Sequence, residues 1–409
     1  MIRPADPGGE PASGGRAAFL AGCSAFLAGC SAFLAGWSAF LAGWSAFLAL
    51  GFRPMYLLAG TYAALGIPLW ALQYLGWLPG ADPLWHAHEM LFGYAFAVIA
   101  GFLLTAVRAW TGLGTPVGAP LAVVASLWLI ARVLALFSLP AAALADAAFA
   151  IAVAWGIGRP LLLSRNRNLF FVAIVLALGA ASIVFQAYPR LALGIGLDVV
   201  LLVMAVVAGR VIPGFTNNAI PGAGARRIQW IEYAAVGSVL FLLLFDLSNF
   251  EKAARVAALG GAAVHAARLA LWAPLKTRAK PILWILHLSY AWIVVHLALR
   301  GLAAFDLAPA LLATHALTVG AIGGLTLGMM TRTARGHTAR PLAAGRAEVA
   351  AYVLVQLAAA VRVFLPLLVP AAYVAAVALS AVLWSAAFLL FVVAFFPILT
   401  RPRLDGQPG

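Results

Sequence analysis

Charge is scarce in this 409-residue sequence: Asp, Glu, Lys and Arg together make up 9% of it, against roughly a quarter in a soluble domain. A chain so poor in charge cannot cover a water-facing surface. With 65% hydrophobic residues and a mean hydropathy of +1.03, the composition predicts a polytopic all-α membrane bundle seated in a lipid bilayer. Acids are rarer than bases, 12 against 26, which leaves a net charge of +14 and a pI near 10.7. In a soluble chain that excess would point to nucleic acid. Here we read it as Lys and Arg gathered in cytoplasmic loops, and no nucleic-acid partner is expected. Cysteine is nearly missing. Cys23 and Cys30 both fall in one low-complexity segment, which excludes a disulfide framework and a CxxC metal site. A cleavable signal peptide is not expected either, because Asp6, Glu10 and several Gly and Pro interrupt the first ten residues.

What is present starts with a run of near-identical heptads, AAFLAGC, SAFLAGC, SAFLAGW, SAFLAGW and SAFLALG, beginning at residue 17. Period seven lines Phe19, Phe26, Phe33, Phe40 and Phe47 along one helical stripe. An extra membrane helix with a glycine seam is one reading. The near-identity of the units favours a repeat expanded in the gene, so residues 1–51 are set apart as an extension. The rest is read as one transmembrane domain, 52–400, with a short cytoplasmic tail, 401–409. Apolar runs of roughly twenty residues, enough to cross a bilayer as helix, predict twelve spans. They fall near 55–76, 88–107, 118–137, 140–162, 168–188, 191–213, 230–248, 254–273, 281–301, 308–330, 348–369 and 372–397. Loops after even-numbered spans hold Arg108, Arg159, Arg165, Arg167, Arg210, Arg226, Arg227, Lys276, Arg278, Lys280, Arg332, Arg335, Arg340 and Arg346. The opposite loops hold only Arg190, Lys252, Arg255 and Arg300, which places both termini in the cytoplasm.

Histidines and isolated charges in apolar surroundings are the candidate functional residues, because they are expensive there unless they bind or pair. Trp85-His86-Ala87-His88-Glu89-Met90 sits at the outer mouth of span 2; His315 and His296 are also outer. His265 lies near the middle of span 8, His287 in the inner half of span 9, and His337 in the cytoplasmic loop after span 10. Spans 2 and 10 also match in detail. Gly93, Gly101, Arg108 and Thr111 follow His88 at +5, +13, +20 and +23, and Gly320, Gly328, Arg335 and Thr338 follow His315 at the same offsets. Spans 3 and 11 carry Arg132 and Arg362 in similar settings, so an internal repeat relating helices 2–3 to 10–11 is expected. It makes His88 and His315 equivalent groups at equal depth, a ready pair of axial haem ligands. Arg132 and Arg362 need carboxylates, carbonyls or anionic groups such as haem propionates. Buried acids are few: Asp198, Glu89, Asp146 and Glu232.

Phe52-Arg53-Pro54, the WHAHEM box, GFLLTAVRAWTG (101–112), GRVIPGFTNNAIPG (209–222), HAARLALW (265–272), LHLSYAW (286–292) and HALTVGAIGGLTLGMMTRTARGHTARPL (315–342) together resemble the NnrS family. The similarity runs from about residue 52 to 397. It departs at Met55-Tyr56, Leu113 and Ala339, none of them a histidine. The resemblance implies a multi-pass protein of the bacterial inner membrane that contains haem, of b type, and copper, and that is linked to nitric oxide, nitrosative stress and denitrification. It implies metal or haem roles for His86, His88, His265, His287, His315 and His337, and leaves His296 a structural residue. Our assignment gives haem to His88 and His315, with Arg132 and Arg362 beside the cofactor. Copper falls among His86, Glu89, His265 and His287, the two deeper histidines fitting a second haem equally well. Two other functions stand beside this one. A nitric oxide-metabolising redox enzyme resembling haem-copper reductases fits the helix count, but the adjacent His-His copper ligands of that group have no counterpart here. A secondary transporter would use the intramembrane His and Arg for protons or anions.

Overall fold

A computed structural model describes residues 31, 43–80, 82–248 and 250–407, the Glu251 side chain excepted. The chain divides into two compact units, Met1–Ser45 and Ala46–Gly409. Most of the heptad segment, and with it the extra membrane helix considered for it, lies outside the described residues.

In the second unit twelve helical segments follow one another. They are α1 (Phe52–Tyr74), α2 (Pro83–Thr111), α3 (Ala119–Leu134), α4 (Leu139–Leu163), α5 (Arg167–Phe185) and α6 (Pro189–Ala219), then α7 (Gln229–Leu247), α8 (Glu251–Leu271), α9 (Pro281–Phe305), α10 (Ala310–His337), α11 (Arg346–Leu368) and α12 (Pro370–Thr400). Among the described residues ten of these are long and apolar enough to cross a membrane. The exceptions are α3, whose 16 residues span about 24 Å against a hydrocarbon core of about 30 Å, and α8, which carries Glu251, Lys252, Arg255 and Arg268.

Two predicted boundaries move. α2 begins at Pro83, not near 88, because Asp82 caps it, Oδ1 accepting from the Leu84 N–H at 2.8 Å, and proline suits the first helical position. This brings the whole WHAHEM box into the helix. α10 continues to His337, which closes its last turn and is not a loop residue.

Successive helices pack on one another, and α12 returns to lie along α1. Arg53, 1% exposed at the start of α1, donates from Nη1 to the carbonyls of Leu399 (3.1 Å) and Arg401 (2.7 Å) at the end of α12. The first and last helices therefore meet at one end of the bundle. Close approach depends on small residues: a Cβ on Gly60 would lie 2.8 Å from the Phe391 ring, and one on Gly179 2.5 Å from Ala150. Outward faces are apolar, with Leu144, Ile151, Trp155, Leu389, Val393 and Phe396 all more than half exposed. In water such a surface would drive association; in a bilayer it is the solvated face.

The proposed repeat has a backbone signature. α2 widens into a π-helical stretch over Glu89–Ala95, and α10 does so over Ala316–Gly323. Each begins at the residue after the histidine that defines the repeat, His88 or His315. A π-turn inserts a residue and re-aims the side chains beyond it. The +5 glycine in each then admits a large neighbour: a Cβ on Gly93 would sit 2.5 Å from Arg132 Nη1, and one on Gly320 would overlap the Trp292 ring. The packing also matches, since α2 lies against α1, α3 and α4, and α10 against α9, α11 and α12.

Candidate functional site

Positions 86 and 88 stand two residues apart, about 200° around a helix, so His86 and His88 face different neighbours. His88 turns toward α3, α4 and α5 and is fully buried. Its Nδ1 lies 2.9 Å from Glu89 Oε1 and its Nε2 3.0 Å from Ser182 Oγ. The Ser182 hydroxyl donates to Asp146 Oδ2 at 3.1 Å. Arg132 closes the ring. Its Nη1 donates to Glu89 Oε1 at 2.6 Å, its Nη2 pairs with Asp146 Oδ1, and the Tyr62 hydroxyl bonds Glu89 Oε2. Trp128 Nε1 donates to the Gly93 carbonyl at 2.9 Å beside it. Arg132 thus takes its anionic partners from the chain itself, and both nitrogens of His88 are engaged.

His86 turns toward α1 and α11. Its ring stacks on Trp70, centroids 4.1 Å apart and planes at 22°, and its Nδ1 is buried without a hydrogen-bond partner. Trp70 shares a small apolar cluster with Ala71, Val377, Ala381, Trp85 and Tyr373. Tyr373 holds Arg362: the guanidinium lies 4.9 Å over its ring and Nη2 donates to its hydroxyl at 3.0 Å. Arg362 Nη1 is buried and unpartnered. The start of α10, which carries His315, packs against α11, the helix of Arg362. His315 Nδ1 is 2.8 Å from the Leu311 carbonyl. A carbonyl only accepts, so Nδ1 carries the proton, and in the neutral ring Nε2 keeps its lone pair, the arrangement a metal-ligating imidazole uses. The structure therefore links His86 and Arg362 through Trp70 and Tyr373, seats the start of His315's helix on α11, and places His88 with Arg132.

The remaining predicted residues lie elsewhere. His265 Nε2 donates to the Ala235 carbonyl at 3.1 Å, and its Nδ1 meets the Tyr290 hydroxyl at 2.6 Å. That hydroxyl also accepts from Arg268 Nη1 at 3.0 Å, while Arg268 grips Glu232 through Nε (3.1 Å) and Nη2 (2.5 Å). His287 Nδ1 donates to the Leu283 carbonyl at 3.0 Å, with Nε2 3.3 Å from Thr216 Oγ1 and from the Trp272 carbonyl. His337 lies 22 residues beyond His315, about 33 Å along α10, with its ring 5.7 Å from that of Phe52. Among the described residues, no group of three or more His, Cys, Asp or Glu is placed to hold a metal ion. His296, read from the sequence as structural, donates from Nδ1 to the Ala313 carbonyl at 2.8 Å and keeps a buried, unpartnered Nε2. Nothing in its sequence neighbourhood announced this. Tyr62 and Ser182, which complete the Arg132 ring, gave no signal either. An open apolar cleft lies between α1, α2, α6, α9 and α10, walled by residues such as Ile99, Phe102, Met204, Leu286 and Met329.

A family model described as NnrS protein matches residues 46–403. The chain belongs to the NnrS family. No curated protein matches it. The NnrS match spans all twelve helices and both buried arginine sites, so the sites described are features of the family domain and not of the N-terminal heptads. NnrS membership and the ten apolar helices make the chain a multi-pass membrane protein linked to the nitric oxide response.

Proposed function

We propose that this protein binds haem and copper in the bacterial inner membrane, with both termini in the cytoplasm, and acts in protection from nitric oxide during denitrification. The observation that carries the reading is that His86 and Arg362 gather on Trp70 and Tyr373, with the start of α10, where His315 lies, packed on the same α11. Of the two imidazoles, one has an unpartnered buried Nδ1 and the other has its Nδ1–H tied to a carbonyl, and the guanidinium has a free buried Nη1. Imidazole suits both iron and copper, and no cysteine lies in the helical domain to favour thiolate chemistry. Haem iron or copper, when bound, supplies a metal that coordinates nitric oxide and changes redox state. His86 and His315 are the residues to hold it. Trp70 fixes the His86 ring by stacking, the Leu311 carbonyl fixes the His315 tautomer, and Arg362 faces any carboxylate the group carries.

Absorption and metal analysis of the purified full-length protein test this. The expected result is a Soret band and stoichiometric copper in wild type, with one or both lost in His86→Ala and His315→Ala and kept in His337→Ala. Wild type without a Soret band and with less than stoichiometric copper, after expression in haem- and copper-replete cells, overturns it.

A further inference from the structure

The two copies of the repeat treat their buried arginines differently. Arg132 on α3, 4% exposed, is neutralised by Glu89 of α2 and Asp146 of α4. Arg362 on α11, 5% exposed, occupies the matching helix of its copy. The residue after the repeat histidine, Glu89 on α2, is Ala316 on α10. The partner offered by the fourth helix, the Asp146 carboxylate on α4, is a neutral hydroxyl on α12, that of Tyr373. No carboxylate among the described residues pairs with Arg362, and one arm of its guanidinium makes no hydrogen bond. A guanidinium left so in a low-dielectric bundle is strongly unfavourable, and the remedy is an anion with two oxygens to match the fork.

We propose that the site formed by Arg362, Tyr373, Trp70 and His86 binds a carboxylate-type anionic group, which takes the place that Glu89 and Asp146 fill in the first copy. The anion accepts from Arg362 Nη1 and from the other unpartnered buried nitrogens of the site, Trp70 Nε1 and His86 Nδ1, and the Trp70 and Tyr373 rings exclude water around it. The group comes either from a free anion or from the carboxylate of a resident prosthetic group. This inference shares His86 and Arg362 with the cofactor reading but requires no metal.

The test uses the full-length protein in nanodiscs, with formate as the free probe and chloride at equal ionic strength as the control. If the occupant is free, formate raises the melting temperature of wild type saturably, as a ligand selective for the folded state must. Chloride does not, and Arg362→Gln weakens the response at least tenfold. If the occupant is a prosthetic-group carboxylate, wild type shows no formate response and Arg362→Gln lowers the content of that group at least tenfold. Arg132→Gln serves as the control for a merely structural arginine and changes neither the formate concentration needed nor the group bound per folded molecule. Absence of both the formate response and the Arg362-dependent loss overturns the proposal. Formate binding in a protein that holds no haem or copper leaves the anion site standing and removes the cofactor reading.

Discussion

Asp146→Asn removes one negative charge from the buried ring around Arg132 with almost no change in shape. The Asp146 side chain is fully buried, and its two oxygens meet Arg132 and Ser182. At an effective dielectric near 20, a unit-charge pair at about 4 Å is worth roughly 4 kcal/mol, so that attraction to Arg132 is lost. The same change relieves the repulsion between Asp146 and Glu89, which share one guanidinium; at about 6 Å it amounts to roughly 3 kcal/mol. Hydrogen bonds to a charged acceptor contribute about 1.5–3 kcal/mol, and asparagine keeps only part of that. The balance is a destabilisation of about 2–3 kcal/mol. Arg132→Gln behaves differently, because it strands two carboxylates in the bundle with no cation. It reaches the range of about 3–5 kcal/mol or more seen when a buried pair loses one member. Unfolding in mixed micelles with increasing SDS fraction, followed by far-ultraviolet circular dichroism, reads both. Asp146→Asn within about 0.5 kcal/mol of wild type, or Arg132→Gln milder than Asp146→Asn, refutes the view that Arg132 holds the two carboxylates together.

Other changes test neighbouring parts. Gly209→Ala drives a methyl into Arg268 Nη2 and to 2.6 Å from Glu232 Oε2, and thermal melts should show a loss comparable to breaking that buried pair, about 3–5 kcal/mol. Ser182→Ala leaves His88 Nε2 and Asp146 Oδ2 without their shared hydroxyl, and the same SDS titration should show a loss of about 1–3 kcal/mol. Glu89→Gln takes a carboxylate from Arg132 and His88 at once, so it should destabilise more than Asp146→Asn in parallel titrations. Trp70→Leu removes the stack that holds the His86 ring and should lower the metal or haem content of the purified protein while the circular dichroism is unchanged.

The helix count was legible because hydrocarbon selects for apolar length, and length survives in the sequence. Even α3 and α8, which fall short on length or on apolarity, stand out there, since the Pro, Gly and charged breaks around them do not continue either neighbour. The repeat was legible through Gly93, Gly101 and Arg108 and their counterparts, whose spacing reflects packing positions. Which histidine meets which partner was not. His86 and His88 differ by two positions, and the π-turn after His88 re-aims the residues beyond it, a shift that no regular period encodes. The carboxylates were visible as rare letters, yet their assignment to Arg132, Arg268 and Arg300 depends on tertiary neighbours tens to hundreds of residues away. Asp82-Pro83 was a readable start signal for α2, and it fixes the depth of the whole WHAHEM box.

The bond between Arg53 and the carbonyl of Arg401 joins groups 348 residues apart in the chain. At roughly 5–20 residues per second, synthesis of that interval takes tens of seconds. Throughout it, α1 sits in the translocation machinery or the bilayer without α12, the helix it packs along, and with an arginine whose acceptors do not yet exist. The nascent protein must therefore keep its first helix parked, shielded by lipid headgroups or an insertion chaperone, until the last one is released. A chain ending just before residue 370 would hold eleven helices and leave its opening arginine still unanswered.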